Sequence, residues 1–188
     1  MPKPKRVDTK AEAQRVALAL FTQKGFDATS LREIAEQLGV SKAALYYHFK
    51  SKDAIVASLV THRATEVAAL VEWVRNEKPA PDLAERTVLR WVDSASADKL
   101  RGIRFMLANP ALLRRVGKEA RGITDGLKTV AELAAGKHAD GKRALLVRMA
   151  FLSINSAVMA AAGTQLSDDD IVAAAKEMAR AILGRLRA

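Results

Sequence analysis

The chain has 188 residues, of which 49% are hydrophobic and 28% charged, so its composition is that of a folded protein and excludes disorder over the whole length. It contains no cysteine, which excludes a disulfide scaffold, a thiolate metal site and a cysteine nucleophile. The 31 basic and 21 acidic residues give a net charge of +10, which points to a polyanionic partner such as nucleic acid.

Half of this excess charge lies near the N-terminus, because residues 1–52 contain 10 basic and 5 acidic side chains. The longest apolar runs, 16–21 and 157–162, are far shorter than the roughly 20 residues of a membrane span. No apolar signal region follows the basic N-terminus. The sequence therefore predicts a cytoplasmic protein without a membrane partner.

The apolar periodicity is helical along nearly the whole chain, and alternating strands bounded by hairpin turns are missing. The sequence therefore predicts an all-α protein. Nine helices are predicted, over about 9–24, 30–38, 42–49, 52–76, 82–96, 98–108, 111–135, 142–162 and 168–188. Three of their starts carry the spacing of a capping box: Thr9 with Glu12, Ser30 with Glu33, and Ser167 with Asp170.

Residues 31–49 predict a helix-turn-helix, in which two short helices flank Gly39. Ala35 is small enough to lie where the two helices cross, and Gly39 permits the positive φ of a tight turn. Ser41 caps the second helix and leaves its first turn exposed. That turn is where a recognition helix meets base edges in the major groove.

The stretch GFDATSLREIAEQLGVSKAALYYHFKSKDAIV resembles the N-terminal DNA-binding head of the TetR family of bacterial transcriptional regulators. The resemblance covers about the first 55 residues and includes Phe21, Gly25 and Phe26. It implies a three-helix head, residues 1–52, joined to a larger helical body, residues 53–188, that binds a small molecule and dimerises. The implied protein is a homodimeric repressor that its ligand releases from an operator, with no enzymatic activity, cofactor or metal.

Carried over residue by residue, the resemblance implies DNA contacts from the start of the second helix, the recognition helix and the start of the fourth helix. These are Ser30, Arg32, Ser41, Lys42, Ala43, Ala44, Tyr46, Tyr47, His48 and Lys52. Many family members have Gly-Thr in place of Ala43-Ala44, so alanine methyl groups could meet thymine methyl groups here. We expect replacement of Lys52 to weaken binding to all sequences, and replacement of Lys42 to change the preferred sequence as well.

Several head residues have a second interpretation. Tyr46 and Phe49 could be core of the head, and for Phe49 the core interpretation is favoured. His48 either packs or contacts phosphate. The N-terminal cations are either a DNA-binding arm or a solvated tail: Lys3, Lys5 and Arg6.

The predicted helices 142–162 and 168–188 are apolar over broad faces, which favours a four-helix dimer interface over closure of the protein's own core. Large side chains of the body are candidates for a ligand site, with ordinary core packing as the alternative. These are Trp73, Trp91, Phe105, Met106, Met149, Phe151, Asn155 and Met159. Gly117, Gly122 and Gly126 indicate either a kinked helix beside a cavity or close helix packing.

Four arginines of the body could bind an anionic ligand, although an ordinary surface position is the alternative interpretation. They are Arg104, Arg114, Arg115 and Arg148. The three histidines have no metal-ligand spacing, and neither a phosphate-binding glycine loop nor a nucleophile motif is present. The rival functions are therefore an activator, a ligand-independent regulator or a small-molecule binding protein without an operator. A body without a cavity would favour the ligand-independent form.

Overall fold

The structure is a computed structural model that describes residues 9–185, and within that range the chain forms helices and no strands. The prediction of an all-α protein is confirmed. The described helices are α1 (Thr9–Lys24), α2 (Leu31–Leu38), α3 (Lys42–His48), α4 (Lys52–Asn76), α5 (Leu83–Asp93), α6 (Ala97–Ala108), α7 (Pro110–Arg115), α8 (Gly117–Ala135), α9 (Gly141–Phe151), α10 (Ser153–Ala160) and α11 (Asp168–Gly184).

The structure divides each of the predicted helices over 111–135 and 142–162 in two, so the prediction of one unbroken helix over 142–162 is wrong. Val116, with φ −99° and ψ 30°, interrupts the helical path between α7 and α8. Leu152 separates α9 from α10, whose axes are bent by 44°. This bend lets both helices pack on α11, so Phe151 and Ile154 are each only 1% exposed in one core.

The predicted starts of α2 and α11 agree with the structure, where capping hydrogen bonds define them. Ser30 and Ser167 each cap a helix in a full capping box, with Glu33 and Asp170 as the acidic partners. Thr9 is the first residue of α1, but the Glu12 side chain is ion-paired with an arginine one turn further on.

Two apolar clusters make up the core, and α4 contributes to both. The head core consists of the buried apolar residues of α1–α3 and the first half of α4, together with Phe26, Phe49, Phe105, Leu112 and Val116. The body core consists of the second half of α4 together with α5, α6 and α8–α11. Since Ile55 and Val56 of α4 are buried in the head core, the first turns of α4 complete the head physically.

Close packing between α4 and α8 decides between the two interpretations of the glycines. A Cβ atom on Gly126 would lie 2.5 Å from Cγ1 of Val67, and one on Gly122 would lie 3.2 Å from Cβ of Ala64. These two glycines therefore let the helices approach closely, whereas Gly117 faces open space at the α7–α8 break. The close-packing alternative applies to this helix pair.

By length and composition, α4 is also apolar enough to cross a membrane. This property was not predicted from the sequence, because only uninterrupted apolar runs were considered. Its 25 residues include an 18-residue window with a mean hydropathy of 1.4, and the bent α9–α10 pair passes the same test as one broken span. Core helices of globular proteins have the same properties, and α4 packs in both cores.

Candidate nucleic-acid interface

The start of α2 is fixed by a network around Glu33. The backbone N–H of Ser30 donates to the Glu33 carboxylate at 2.8 Å, and the Ser30 hydroxyl accepts from the Glu33 N–H at 3.1 Å. Lys24 of α1 also donates to this carboxylate, at 3.0 Å. The Ser30 N–H and the Lys24 ammonium lower the pKa of Glu33 to about 2. A predicted DNA-contact residue, Ser30, is thus also the residue that anchors α2.

The turn into α3 has the geometry that the sequence predicts. Gly39 has a φ of +72°, a left-handed conformation that favours glycine. The Val40 N–H then donates to the Ala35 carbonyl at 3.0 Å, and Ser41 caps α3 by accepting from the Ala44 N–H at 3.1 Å. Leu45 of α3 is fully buried against the head core. One side of α3 is therefore held firmly, and the opposite side is turned outward.

The outward side of α3 contains most of the predicted contact residues. Those that are exposed are Ser41, Lys42, Ala43, Ala44, Tyr47 and His48. Tyr47 is 81% exposed, and its ring meets the His48 ring edge-on at 5.2 Å. A tyrosine this exposed contributes little to the core, so its ring and hydroxyl are available to a partner.

The open alternatives for the aromatic residues of α3 have different outcomes. Phe49 is 2% exposed and belongs to the head core, so the core interpretation is confirmed. Tyr46 is half-buried and packs against the same core, while the Lys42 ammonium lies 5.4 Å from its ring centre. His48 is exposed and does not pack in the core. The N-terminal cations Lys3, Lys5 and Arg6 lie outside the described residues.

A groove of about 400 Å³ opens between the start of α2, α3 and the start of α4. Five of the predicted contact residues line it: Ser30, Arg32, Lys42, Tyr46 and Lys52. Three further lining residues were not predicted: Asp27, Thr29 and Leu31. Three of these eight side chains are cationic and one is acidic. The groove therefore offers a concave, positively charged surface to an anion such as a phosphate group.

Lys52 has a structural role that the sequence did not indicate. Its ammonium donates to the backbone carbonyls of Phe26 and Asp27, the latter at 3.1 Å, and lies 4.6 Å from the centre of the Phe26 ring. These bonds use two of its three donors and connect the start of α4 to the loop between α1 and α2. The positive charge of Lys52 is thereby held at the edge of the groove.

Arg32 lies on the exposed outer face of α2, as predicted, and is paired with a neighbour on the same helix. Its Nε donates to the Glu36 carboxylate at 2.7 Å. Both side chains are mostly exposed, so the pair contributes little to stability and can be exchanged for a phosphate contact.

The eight predicted ligand-site residues are spread over the two cores and the exposed surface. Phe105 belongs to the head core, where its ring stacks on Phe21 at 5.5 Å. Trp91 and Phe151 are buried in the body core, with Trp73 packed against it. Met106 packs on the head core, Asn155 is half-buried, and Met149 and Met159 are 45% and 64% exposed.

A half-buried charged cluster in the body was also missed by the sequence analysis. The Arg63 guanidinium lies 3.7 Å above the Trp91 ring and donates to Glu66 at 2.8 Å, and Lys99 contacts the same carboxylate at 2.7 Å. Burial works to raise the pKa of Glu66, but Lys99 and Arg63 together hold it below its ordinary value. The signal that could have found this cluster is the i, i+3 spacing of Arg63 and Glu66.

Comparison with known proteins agrees with the geometry of the head. Residues 15–59 match the model of the family of bacterial regulatory proteins of the TetR type. The head of this chain belongs to the TetR family. Among curated relatives, the TetR-type head is 51% identical over 39 residues to IcaR of Staphylococcus aureus, the biofilm operon icaADBC HTH-type negative transcriptional regulator; the match covers 21% of each chain.

A second curated relative is YerO of Bacillus subtilis, an HTH-type transcriptional regulator that is 50% identical over 44 residues. That match covers 23% of this chain and 15% of YerO. The chain thus spans about a fifth of the length of the curated relatives it matches, and the shared part is the TetR-type head.

Solved structures resemble the whole fold of this chain. Mycobacterium smegmatis AmtR has a TM-score of 0.69 at 19% identity, with 98% of this chain and 90% of that chain covered. The fatty acid degradation regulator FadR of Bacillus halodurans has a TM-score of 0.71 at 17% identity, with 97% and 98% covered. At these identities the likeness concerns the fold, so the helical body has the architecture found in regulators of this kind.

Proposed function

We propose that the protein is a homodimeric transcriptional repressor that binds operator DNA through α3 and is released when a small molecule binds its body. The observation that carries the proposal is the arrangement of α3, which is fixed on its inner side by Leu45 and exposes lysine, hydroxyl and imidazole groups on its outer side. This is the arrangement that a recognition helix needs for contact with base edges. Operator DNA lies in the cytoplasm, where such a regulator acts.

The groove beside α3 supports the proposed DNA binding through its charge. Arg32, Lys42 and Lys52 line it, and phosphate oxygens are the partners that such cations meet on a duplex. Their contacts with phosphate release counterions, so affinity for DNA falls steeply as the salt concentration rises. A phosphate contact from Ser30 requires its hydroxyl to exchange partners, because that hydroxyl already donates to the Glu33 carboxylate at 2.9 Å and a serine has only one donor.

An exposed apolar stripe on α9 and α10 supports the proposed dimer. Leu145, Met149, Leu152 and Met159 are between 45% and 64% exposed, and they recur at helical spacing across the bend. Met178 of the neighbouring α11 is 41% exposed. Large apolar patches on soluble proteins mark interaction surfaces, and a second copy of the chain would cover this one through a two-fold interface.

Release by a small molecule is the part of the proposal that concerns the body, and the similarity to regulator folds supports it. A specific observation favours a second candidate, a ligand-independent regulator. Trp91 and Phe151 are buried in the body core, and α4 packs closely on α8 at Gly126. Side chains that fill the body in this way leave less room for an effector.

Xenon binding distinguishes the two candidates, because xenon enters dry apolar cavities of proteins. A body with an effector chamber predicts saturable xenon shifts of the methyl resonances of residues such as Val67 and Val88. A filled body predicts no shift at these core positions, and that result would favour the ligand-independent regulator.

Selection of binding sites from random duplex DNA, at about 0.15 M salt, tests the proposed DNA function. The proposal predicts enrichment of a two-fold symmetric motif, because a dimer presents two copies of α3. Salt-sensitive binding without any enriched sequence would contradict it.

A further inference from the structure

We infer that a basic face on the body, formed by Arg114, Lys118 and Arg121, is a second DNA-contact surface that binds the phosphate backbone beside the operator contacts of α3. The inference rests on the proposed DNA function and extends it from the head to the body. These three residues are called the outer basic face below.

The outer basic face is organised by the way α7 and α8 are anchored on the head. Leu112 and Val116 are 5% and 4% exposed in the head core, and Ala120 and Ile123 pack against the same core. This apolar series continues across the α7–α8 break at a spacing of four, four and three residues. One side of the segment is therefore attached to the head throughout.

The cations of the outer basic face lie on the opposite side of the same segment. Arg114, Lys118 and Arg121 are exposed and follow each other at a spacing of four and three residues. Within residues 9–185, none of the three has an ion pair or a hydrogen bond from its side chain to another residue. Three unpaired cations on one face form a strongly positive surface.

An ion pair joins the segment that carries this face to the start of α4. Arg115, adjacent to Arg114, contacts the Asp53 carboxylate at 3.0 Å. Asp53 is in the first turn of α4, and its neighbour in sequence is Lys52, which lines the groove. The segment 110–121 is thus held against the first turn of α4, one residue in sequence from the groove cation Lys52.

Charge and position together identify the partner as duplex DNA. Residues 110–121 contain four basic residues and one acidic residue. This net positive charge makes the segment complementary to a polyanion. Arginine and lysine side chains that contact phosphates, and not base edges, bind DNA independently of its sequence. The outer basic face therefore adds affinity and salt dependence to DNA binding and leaves the choice of sequence to α3.

Two triple variants with the same net charge test the inference. The first replaces the outer basic face (Arg114→Ala, Lys118→Ala and Arg121→Ala), and the second replaces three exposed cations elsewhere in the body (Lys78→Ala, Lys137→Ala and Lys142→Ala). The measurement is affinity for the selected operator and for a random duplex of equal length, by fluorescence anisotropy between about 0.05 and 0.2 M salt. Equal thermal midpoints of the two variants and the parent establish that all three are folded.

We expect the first variant to bind both duplexes more weakly by the same factor, with a salt slope that is lower by about 0.9 for each phosphate that the variant no longer neutralises. The control variant should have the slope of the parent. Equal slopes and affinities for the two variants would overturn the inference. A parent that selects no operator would contradict the proposed function, but the random duplex would still test the outer basic face separately.

Discussion

At the residue scale, the structure gives several DNA-contact candidates a second task in holding the head together. Lys52 is the clearest example, because its ammonium bonds to the carbonyls of Phe26 and Asp27 and also lines the cationic groove. Lys42 has no such task, since it is exposed and its nearest aromatic partner is the Tyr46 ring at 5.4 Å. The two lysines should therefore behave differently when they are replaced.

Lys52→Ala should weaken binding to the selected operator and to random duplex by the same factor, with a smaller salt slope, because a phosphate contact carries no sequence information. It should also lower the free energy of unfolding by about 1 kcal/mol, because the hydrogen bonds to the two carbonyls are removed. Lys42→Ala should leave stability unchanged but cost about 1–3 kcal/mol at one operator position, if its partner is a base edge. The checks are DNA titrations and urea unfolding, and parent-like DNA binding by both variants would refute the assignment.

Glu33 should make stability depend on pH in the acidic range. Its folded-state pKa of about 2 lies below the ordinary value of 4.5, so the carboxylate stabilises the head fully above about pH 4.5. That contribution is lost progressively as the pH falls towards 2. Urea unfolding of the parent and Glu33→Gln between pH 2 and 7 should give a difference that shrinks with decreasing pH. A constant difference would show that the ionised cap is not the cause.

How far the sequence predicted single residues depends on how local their partners are. Ser30 with Glu33 and the positive φ of Gly39 follow from neighbours within a few positions, and both were predicted. The contact of Lys52 with residues 26 and 27 and that of Arg115 with Asp53 join positions far apart in sequence. Such contacts depend on how helices are arranged in space, which periodicity does not specify.

At the element scale, the close packing of α4 on α8 depends on Gly126 having no side chain. Gly126→Ala should destabilise the protein by about 1–3 kcal/mol, because the added Cβ overlaps Val67 Cγ1 and overpacking costs that much. This cost outweighs the gain of up to about 1 kcal/mol in helix propensity.

Two comparison variants make the Gly126 test specific to the helix contact. Gly117→Ala adds the same atom to the same helix in open space, and it should be neutral or slightly stabilising. The Gly126→Ala, Val67→Ala double variant should lose less free energy of unfolding than the sum of the losses of the two single variants, because the smaller residue 67 makes room for the added Cβ. Strict additivity in chemical unfolding would mean that the two residues do not collide.

The breaks in the helices are the elements that the sequence predicted least well. Glycines at 117, 122 and 126 suggested an interruption within 111–135, but the break falls at Val116, where the chain has to carry Leu112 and Val116 into the head core. Neither a glycine nor a proline marks the bend at Leu152. That bend follows from the packing of α9 and α10 on α11.

At the scale of the whole molecule, the exposed apolar stripe should control association. Replacing Leu152 and Met159 with arginine should convert a dimer into a monomer, because buried unpaired charges would face each other across the two-fold axis. Leu107→Arg is the control, since Leu107 is 42% exposed on α6 and is not one of the stripe residues. Sedimentation velocity should give one protomer for the double variant and two for the parent and the control. A parent that sediments as a monomer would contradict the proposed interface.

Two-fold binding of the operator is tested by comparing two duplexes by sedimentation and anisotropy. One contains the selected symmetric operator, and the other contains the same half-sites with about five extra base pairs between them, which is half a helical turn. This insertion moves the second half-site to the far side of the duplex, out of reach of the second α3. A two-fold regulator should place two protomers on the first duplex and bind the second with an affinity close to the nonspecific level. Equal affinity for both duplexes would contradict a two-fold regulator.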